Sequence, residues 1–188
     1  MTSSLPSSRR AAPLSTAAKS ARKRPLMFVD VAKALLAEGV DAQFTLVGPD
    51  EGEGRALRAA LKNESRISWE GALAPEDVPR RMSEADIYVL PSEREPYPMT
   101  VLEAMAVGLP IVVAADCGLA PLVQSGQCGV VVDGEATAFA GAVRALLADR
   151  SRRVEMGELA RKTAHNEFGM GVIGDRLEQL YDEVVRRK

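Results

Sequence analysis

Pro91-Ser-Glu-Arg-Glu95-Pro-Tyr-Pro-Met-Thr100-Val-Leu-Glu103-Ala-Met-Ala-Val-Gly108-Leu-Pro110 reads as strand end, loop, helix start, helix stop and next strand. The preceding segment Asp86-Ile-Tyr-Val-Leu90 has the length and composition of a buried strand. A helix is predicted from about Thr100 to Val107; Gly108 ends it and Pro110 prevents continuation. The first turn of that helix offers unpaired N–H groups and the positive end of the helix dipole, which suit an anion. Pro98 removes one donor and stiffens the loop, so the free donors begin at Met99 or Thr100. Glu95 lies in the loop and Glu103 about one turn inside the helix, and a carboxylate can accept two bonds from neighbouring hydroxyls. Together these features fit a diphosphate flanked by a ribose and a sugar. The same residues admit a structural account, because Thr100-Val-Leu-Glu103 has the spacing of a capping box.

Outward from this stretch, short apolar strands alternate with helices. Phe44-Thr-Leu-Val47, Ile67-Ser-Trp69, Ile111-Val-Val-Ala114 and Gly129-Val-Val-Val132 are the other strands. Helical spacing runs from Leu26 to Glu38, where Gly39 stops it, and from Arg55 to Lys62. Pro75 starts a short helix, and three helices close the chain at about 135–148, 151–166 and 171–186. Apolar strands alternating with helices imply a parallel sheet covered on both faces, an α/β doubly wound fold. Ligands of such sheets bind at the carboxyl ends of the strands. Gly48, the Glu70-Gly71 turn and the Ser92–Pro98 loop all follow strand ends and are expected on one rim.

Residues 1–24 have a different character. They are basic, rich in Ser and Ala, and precede the first acid, Asp30. They are expected to be a disordered tail. The expected domain is 25–168, with 169–188 a further helix. The chain of 188 residues, 46% hydrophobic and 27% charged, is enough for one domain with a real core. A net charge of -2 argues against general nucleic-acid binding. No apolar run approaches a membrane span, so a cytoplasmic setting is expected, with any membrane association through a partner. Two cysteines exclude a disulfide scaffold, and a single histidine excludes a Cys/His metal cluster. No Asp-x-Asp pair is available to hold a metal against phosphates. Cys117, Cys128, Asp116, Trp69 and His165 are read as structural or solvated, with the Cys117-Gly118 backbone and Trp69 near the functional rim.

The central stretch resembles the donor-binding, C-terminal domain of glycosyltransferase family 4 enzymes (glycosyl transferases group 1) of the GT-B class. The resemblance rests on Pro91-Ser92, Glu95, Glu103-Ala-Met-Ala106, Gly108 and Pro110, and it extends in order from about Lys23 to Tyr181. It implies a Rossmann-like sheet forming one half of a GT-B fold. It implies that Glu103 holds the ribose hydroxyls, that Glu95 contacts the donor sugar and is the catalytic candidate, and that the backbone at Met99 and Thr100 binds the diphosphate. Lys23 matches the lysine that neutralises this diphosphate, and the Trp69–Gly71 turn would lie near the base. The implied donor is a UDP-, GDP- or ADP-linked sugar, with no metal and no separate cofactor. The implied reaction is metal-independent transfer to a hydroxyl acceptor with retention of configuration.

Two departures qualify the resemblance. The family's arginine falls on Ala18, with Lys19 one step off, and the first strand near Ala12–Ala17 is poor because it contains Pro13, Ser15 and Thr16. The resemblance covers only the donor-binding half of the family, so the acceptor-binding domain is expected to lie outside this sequence. The chain alone is therefore expected to be incomplete as a catalyst, and a non-catalytic nucleotide or nucleotide-sugar binding module is the alternative. A plain scaffold domain with an ordinary capping box would bind no nucleotide. The stripe Val172, Ile173, Leu177, Leu180, Tyr181 and Val184 is expected to meet a separate N-terminal domain or a second copy.

Overall fold

A computed structural model describes residues 11–16 and 21–186. Six strands form one fully parallel sheet: β1 (Pro13–Thr16), β2 (Phe44–Val47), β3 (Ile67–Trp69), β4 (Ile87–Leu90), β5 (Ile111–Ala114) and β6 (Gly129–Val132). Their spatial order is β3-β2-β1-β4-β5-β6. The chain therefore winds one way from β1 to β3 and the other way from β4 to β6, which is the Rossmann-like, doubly wound arrangement. The helices are α1 (Pro25–Ala37), α2 (Gly54–Ala60), α3 (Val78–Ser83), α4 (Met99–Ala106), α5 (Ala120–Ser125), α6 (Ala136–Ala148), α7 (Arg150–Phe168) and α8 (Met170–Arg186).

Successive strand residues feed opposite faces of the sheet, as the two-residue period requires. Ile87 and Val89 join Phe28, Leu35, Phe139 and Leu146 on the side covered by α1 and α6. Tyr88 and Leu90 join Val101, Met105, Val113 and Val123 on the side covered by α4 and α5. Both sides are buried, which is why β4 and β5 are buried at every position and built from Ile, Tyr, Val, Leu and Ala.

The N-terminal boundary differs from the sequence expectation. Pro13–Thr16 is not tail but the central strand, paired with β2 on one edge and β4 on the other. Pro13 is tolerated because it opens the strand, where its missing N–H costs least. Leu14 is only 1% exposed. Ala21–Lys23 forms a 3-10 turn that leads into α1. The remainder of the expected tail, 1–10 and 17–20, and with it Ala18 and Lys19, lies outside the described residues. The short helix α5 was also absent from the sequence reading.

Gly108, at φ 83°, turns the chain out of α4. Beside it, α7 packs closely: a Cβ on Gly157 would stand 2.2 Å from the Gly108 carbonyl oxygen. Arg161 of α7 donates to the Val107 carbonyl at 2.9 Å and so satisfies an end group of α4. Helix α8 leaves this core. Its stripe of Ile173, Leu177, Leu180, Tyr181 and Val184 is exposed, Tyr181 by 71%. No helix among the described residues is long and apolar enough to cross a membrane.

The placement of β1 has a direct test. Leu14→Ala should destabilise the protein by about 2–5 kcal/mol in urea titration, as for other buried leucines. A change within about 0.5 kcal/mol, typical of surface sites, would return residues 13–16 to a tail.

Candidate functional site

The crevice of this sheet lies where the winding reverses, at the carboxyl ends of β1 and β4. The turn after β1 supplies Arg22 and Lys23, and the loop after β4 supplies Glu95. Lys23 Nζ stands 3.1 Å from Glu95 Oε2, and Arg22 Nε stands 3.8 Å from the same oxygen. The Lys23 and Glu95 side chains are 12% and 11% exposed. The sequence reading placed Lys23 and Glu95 on one ligand; the structure also adds Arg22, whose only signal was the basic run Arg22-Lys-Arg24.

Backbone hydrogen bonds fix this loop independently of the ion pair. The Glu93 N–H donates to the Arg22 carbonyl at 2.9 Å, joining the two segments that carry the charges. The Arg94 N–H donates to Asp116 Oδ2 at 2.9 Å, with Arg94 at φ 47°. The Gly118 N–H donates to the Glu95 carbonyl at 2.9 Å. A Cβ on Gly118 would lie 1.8 Å from the Pro96 carbonyl oxygen, so only glycine permits this approach. The Gly118 amide is thus engaged by the loop and is not available to a diphosphate. Asp116 secures the loop rather than capping its own turn.

Helix α4 begins at Met99, with Pro98 at the N-cap and no side-chain cap. The capping box suggested by Thr100 and Glu103 does not form. Thr100 lies inside the helix, and its Oγ1 accepts the Tyr88 hydroxyl proton at 2.7 Å. The Val101 N–H donates to the Pro98 carbonyl at 3.0 Å, whereas no backbone hydrogen bond among the described residues engages the N–H of Met99 or Thr100. These are the two donors the sequence singled out.

Four buried side-chain oxygens among the described residues have no hydrogen-bond partner. They are Ser15 Oγ on β1, Ser92 Oγ just after β4, and Glu95 Oε2, whose contact with Lys23 lacks hydrogen-bond alignment; Glu53 Oε2 is the other such atom. Buried polar atoms are normally satisfied, so Ser92 Oγ and Glu95 Oε2, both in the segment after β4, stand out as acceptors with capacity left over.

Glu103 sits apart from the ion pair. It lines a groove of about 600 Å³ between α4 and the α7–α8 corner, with Met99, Leu102, His165, Phe168 and Ile173. Met99 belongs both to this groove and to the uncapped helix start, so the two regions meet there. Among the described residues, no hydrogen bond or ion pair engages the Glu103 carboxylate, whose backbone carbonyl accepts the Val107 N–H within α4. His165 also faces the groove but is exposed.

The β3 rim is rigid. Trp69 Nε1–H donates to the Gly48 carbonyl at 2.8 Å, and the Arg58 guanidinium lies over the indole at 5.4 Å. Asp50 holds Arg58 at 2.9 Å, and the Gly52 and Gly54 amides keep its carboxyl below the usual range. One face of Trp69 is therefore occupied. Glu70 accepts two bonds from Arg81, at 2.7 and 2.9 Å. Burial raises the thiol pKa of both cysteines, that of Cys128 to about 11, which leaves them unreactive thiols near neutral pH. No group of three or more His, Cys, Asp or Glu able to hold a metal occurs among the described residues.

A parallel sheet of this order, with helices on both faces and a crevice at its reversal, is a Rossmann-like α/β domain. Residues 10–163 match the family described as Glycosyl transferases group 1, and the chain belongs to that family. It is 29% identical over 160 residues to an alpha-D-kanosaminyltransferase of Streptomyces kanamyceticus, covering 84% of this chain and 42% of that protein. It is 31% identical over 151 residues to an N-acetyl-alpha-D-glucosaminyl L-malate synthase of Bacillus anthracis, covering 78% and 39%. Among solved structures, a sucrose-phosphate synthase from Thermosynechococcus elongatus is 25% identical with a TM-score of 0.79, covering 95% of this chain and 46% of that one. Anabaena Alr3699/HepE, solved in complex with UDP, shares the fold at a TM-score of 0.81 and 23% identity, covering 93% and 49%. The chain thus spans less than half the length of each of these proteins.

The Tyr88–Thr100 bond should be measurable. Tyr88→Phe leaves the Thr100 hydroxyl without its donor and should lower stability by about 1–2 kcal/mol in urea titration. An unchanged midpoint would mean that this bond does not fix the start of α4.

Proposed function

We propose that this chain is the donor-binding domain of a family 4, GT-B glycosyltransferase, corresponding to the C-terminal half of such an enzyme. The observation that carries the reading is the contact of Lys23, from the turn after β1, with Glu95 of the loop that enters the uncapped α4. The N–H groups of Met99 and Thr100, with Lys23 and Arg22, receive the diphosphate of a nucleotide-sugar. The dipole of α4 adds to them. Glu95 accepts hydrogen bonds from the sugar hydroxyls. Glu103, unpaired in the groove that meets the helix start, takes the ribose hydroxyls. The nucleotide is a UDP, GDP or ADP group.

In the reaction, the bond from the anomeric carbon to the diphosphate oxygen breaks and a bond to an acceptor hydroxyl oxygen forms. The acceptor hydroxyl proton passes to the departing diphosphate oxygen, and the configuration is retained. Negative charge grows on the leaving diphosphate, where Lys23, Arg22 and the α4 amides lie ready to stabilise it without a metal. The acceptor is held by a companion domain, against which the exposed stripe of α8 packs. Without that domain the reacting groups are not brought together, so this chain alone binds donor but turns over little.

A second reading uses the same donor contacts: a nucleotide-sugar binding module with no transfer activity. Acceptor-dependent release of nucleotide by the purified chain would exclude the module and also the view that the chain is incomplete.

Calorimetry of UDP, GDP and ADP, each with and without its sugar, tests the shared claim. One nucleotide should bind, and Glu103→Ala should weaken it about tenfold or more, the loss of one to two hydrogen bonds to a charged group. No binding of any of the three to the folded chain contradicts the proposed donor site.

A further inference from the structure

Glu95 has a feature that contact with a sugar does not explain. It is paired in advance with the cation that a diphosphate needs. Lys23 Nζ lies 3.1 Å from Glu95 Oε2, both side chains are nearly buried, and the contact is not aligned as a hydrogen bond. A diphosphate using Lys23 must compete with a carboxylate already there. The pair is also poorly satisfied, so opening it is less costly than breaking a well-formed buried bridge.

We propose that Glu95 is a selectivity residue that makes the site favour a nucleotide-sugar over the free nucleoside diphosphate left after transfer. The inference rests on the donor-site reading above. The two ligands differ at one end. The free diphosphate carries a terminal phosphate with a second ionisation near pH 6, so at neutral pH it brings about one more negative charge than its sugar ester. In the ester, that end bears hydroxyl groups, which donate to a carboxylate. In the product, it bears an anionic oxygen, which a carboxylate repels. Two effects of the same sign therefore act through Glu95: attraction to the donor and repulsion of the spent nucleotide. The low exposure of the side chain reduces solvent screening of both. Product departure lets Glu95 recover Lys23.

The local structure makes the idea testable by a nearly isosteric change. The main chain of Glu95 is held by the Gly118 amide, and its neighbours by Arg22 and Asp116. Glu95→Gln removes the charge and leaves those bonds in place. It also retains a carbonyl that can accept from a sugar hydroxyl.

The experiment is calorimetric titration of wild type and Glu95→Gln with UDP and UDP-glucose, and with the GDP and ADP pairs to select the base. Thermal melting verifies that the variant is folded. The variant should bind the free nucleoside diphosphate roughly tenfold more tightly, the effect of one unit charge removed at short range. Its affinity for the sugar ester should stay the same or fall, so the preference narrows or inverts. Inorganic pyrophosphate should follow the free nucleotide, and Lys23→Gln should weaken both ligands. Unchanged or weaker diphosphate binding in a folded Glu95→Gln would overturn the proposal and make Glu95 a positioning residue for Lys23. Equal tightening of both ligands would overturn it too, since the charge would then not select between them. If wild type binds none of the nucleotides, the donor-site reading itself fails. If wild type binds and the variant shows no selective tightening, only the present inference fails.

Discussion

The four-residue strand Pro13–Thr16 is paired along both edges, to β2 through Leu14–Thr16 and to β4 through Pro13–Leu14. The chain after β1 winds towards β2 and β3, while the chain after β4 winds towards β5 and β6. The two loops at the upper ends of β1 and β4 therefore separate, and a crevice opens between them. Arg22 and Lys23 reach it from one side and the Ser92–Pro98 loop from the other, with Glu93 and Arg22 joined by a backbone bond. Without β1 between β2 and β4, Lys23 and Glu95 would have no reason to meet.

Electrostatics gives the crevice its sign. The start of α4 carries a partial positive charge of roughly half a unit, and no side chain neutralises it because Thr100 is committed to Tyr88. Lys23 and Arg22 bring two cations to the Glu95 carboxylate. An anion is favoured there. Asp116 and Gly118 spend their polar groups on holding the loop in shape, so the rigidity of the site is supplied from β5.

The sequence made the β4–α4 unit readable because every signal agreed there: an apolar strand, a proline-rich loop, and a helix closed by Gly108 and Pro110. The doubly wound sheet followed from the alternation of strands and helices. Membership of the Glycosyl transferases group 1 family accords with the ordered motif from Pro91 to Pro110. The central strand β1 was legible only as a poor strand within an expected tail, because Pro13, Ser15 and Thr16 give it a polar appearance, although Ser15 is buried with its hydroxyl unpaired. The capping box was a fair local reading, but a tertiary partner, Tyr88, decided the matter. Spacing alone could not separate the surroundings of the two glutamates: Glu95 lies against two cations, while Glu103 faces the α7–α8 groove. Nor could it show that Arg58 covers one face of Trp69, since that contact depends on the β2–α2 loop folding around Asp50.

The central claim is that the uncapped start of α4, at the reversal of the sheet, is where the phosphates sit. The most direct measurement is the amide nitrogen and proton shift of each residue in a 15N-labelled protein as a nucleoside diphosphate is added. The largest changes should fall at Met99 and Thr100, accompanied by Lys23 and Glu95. Changes confined to the α7–α8 corner around Phe168 and Ile173, or no changes at saturating ligand, would contradict it.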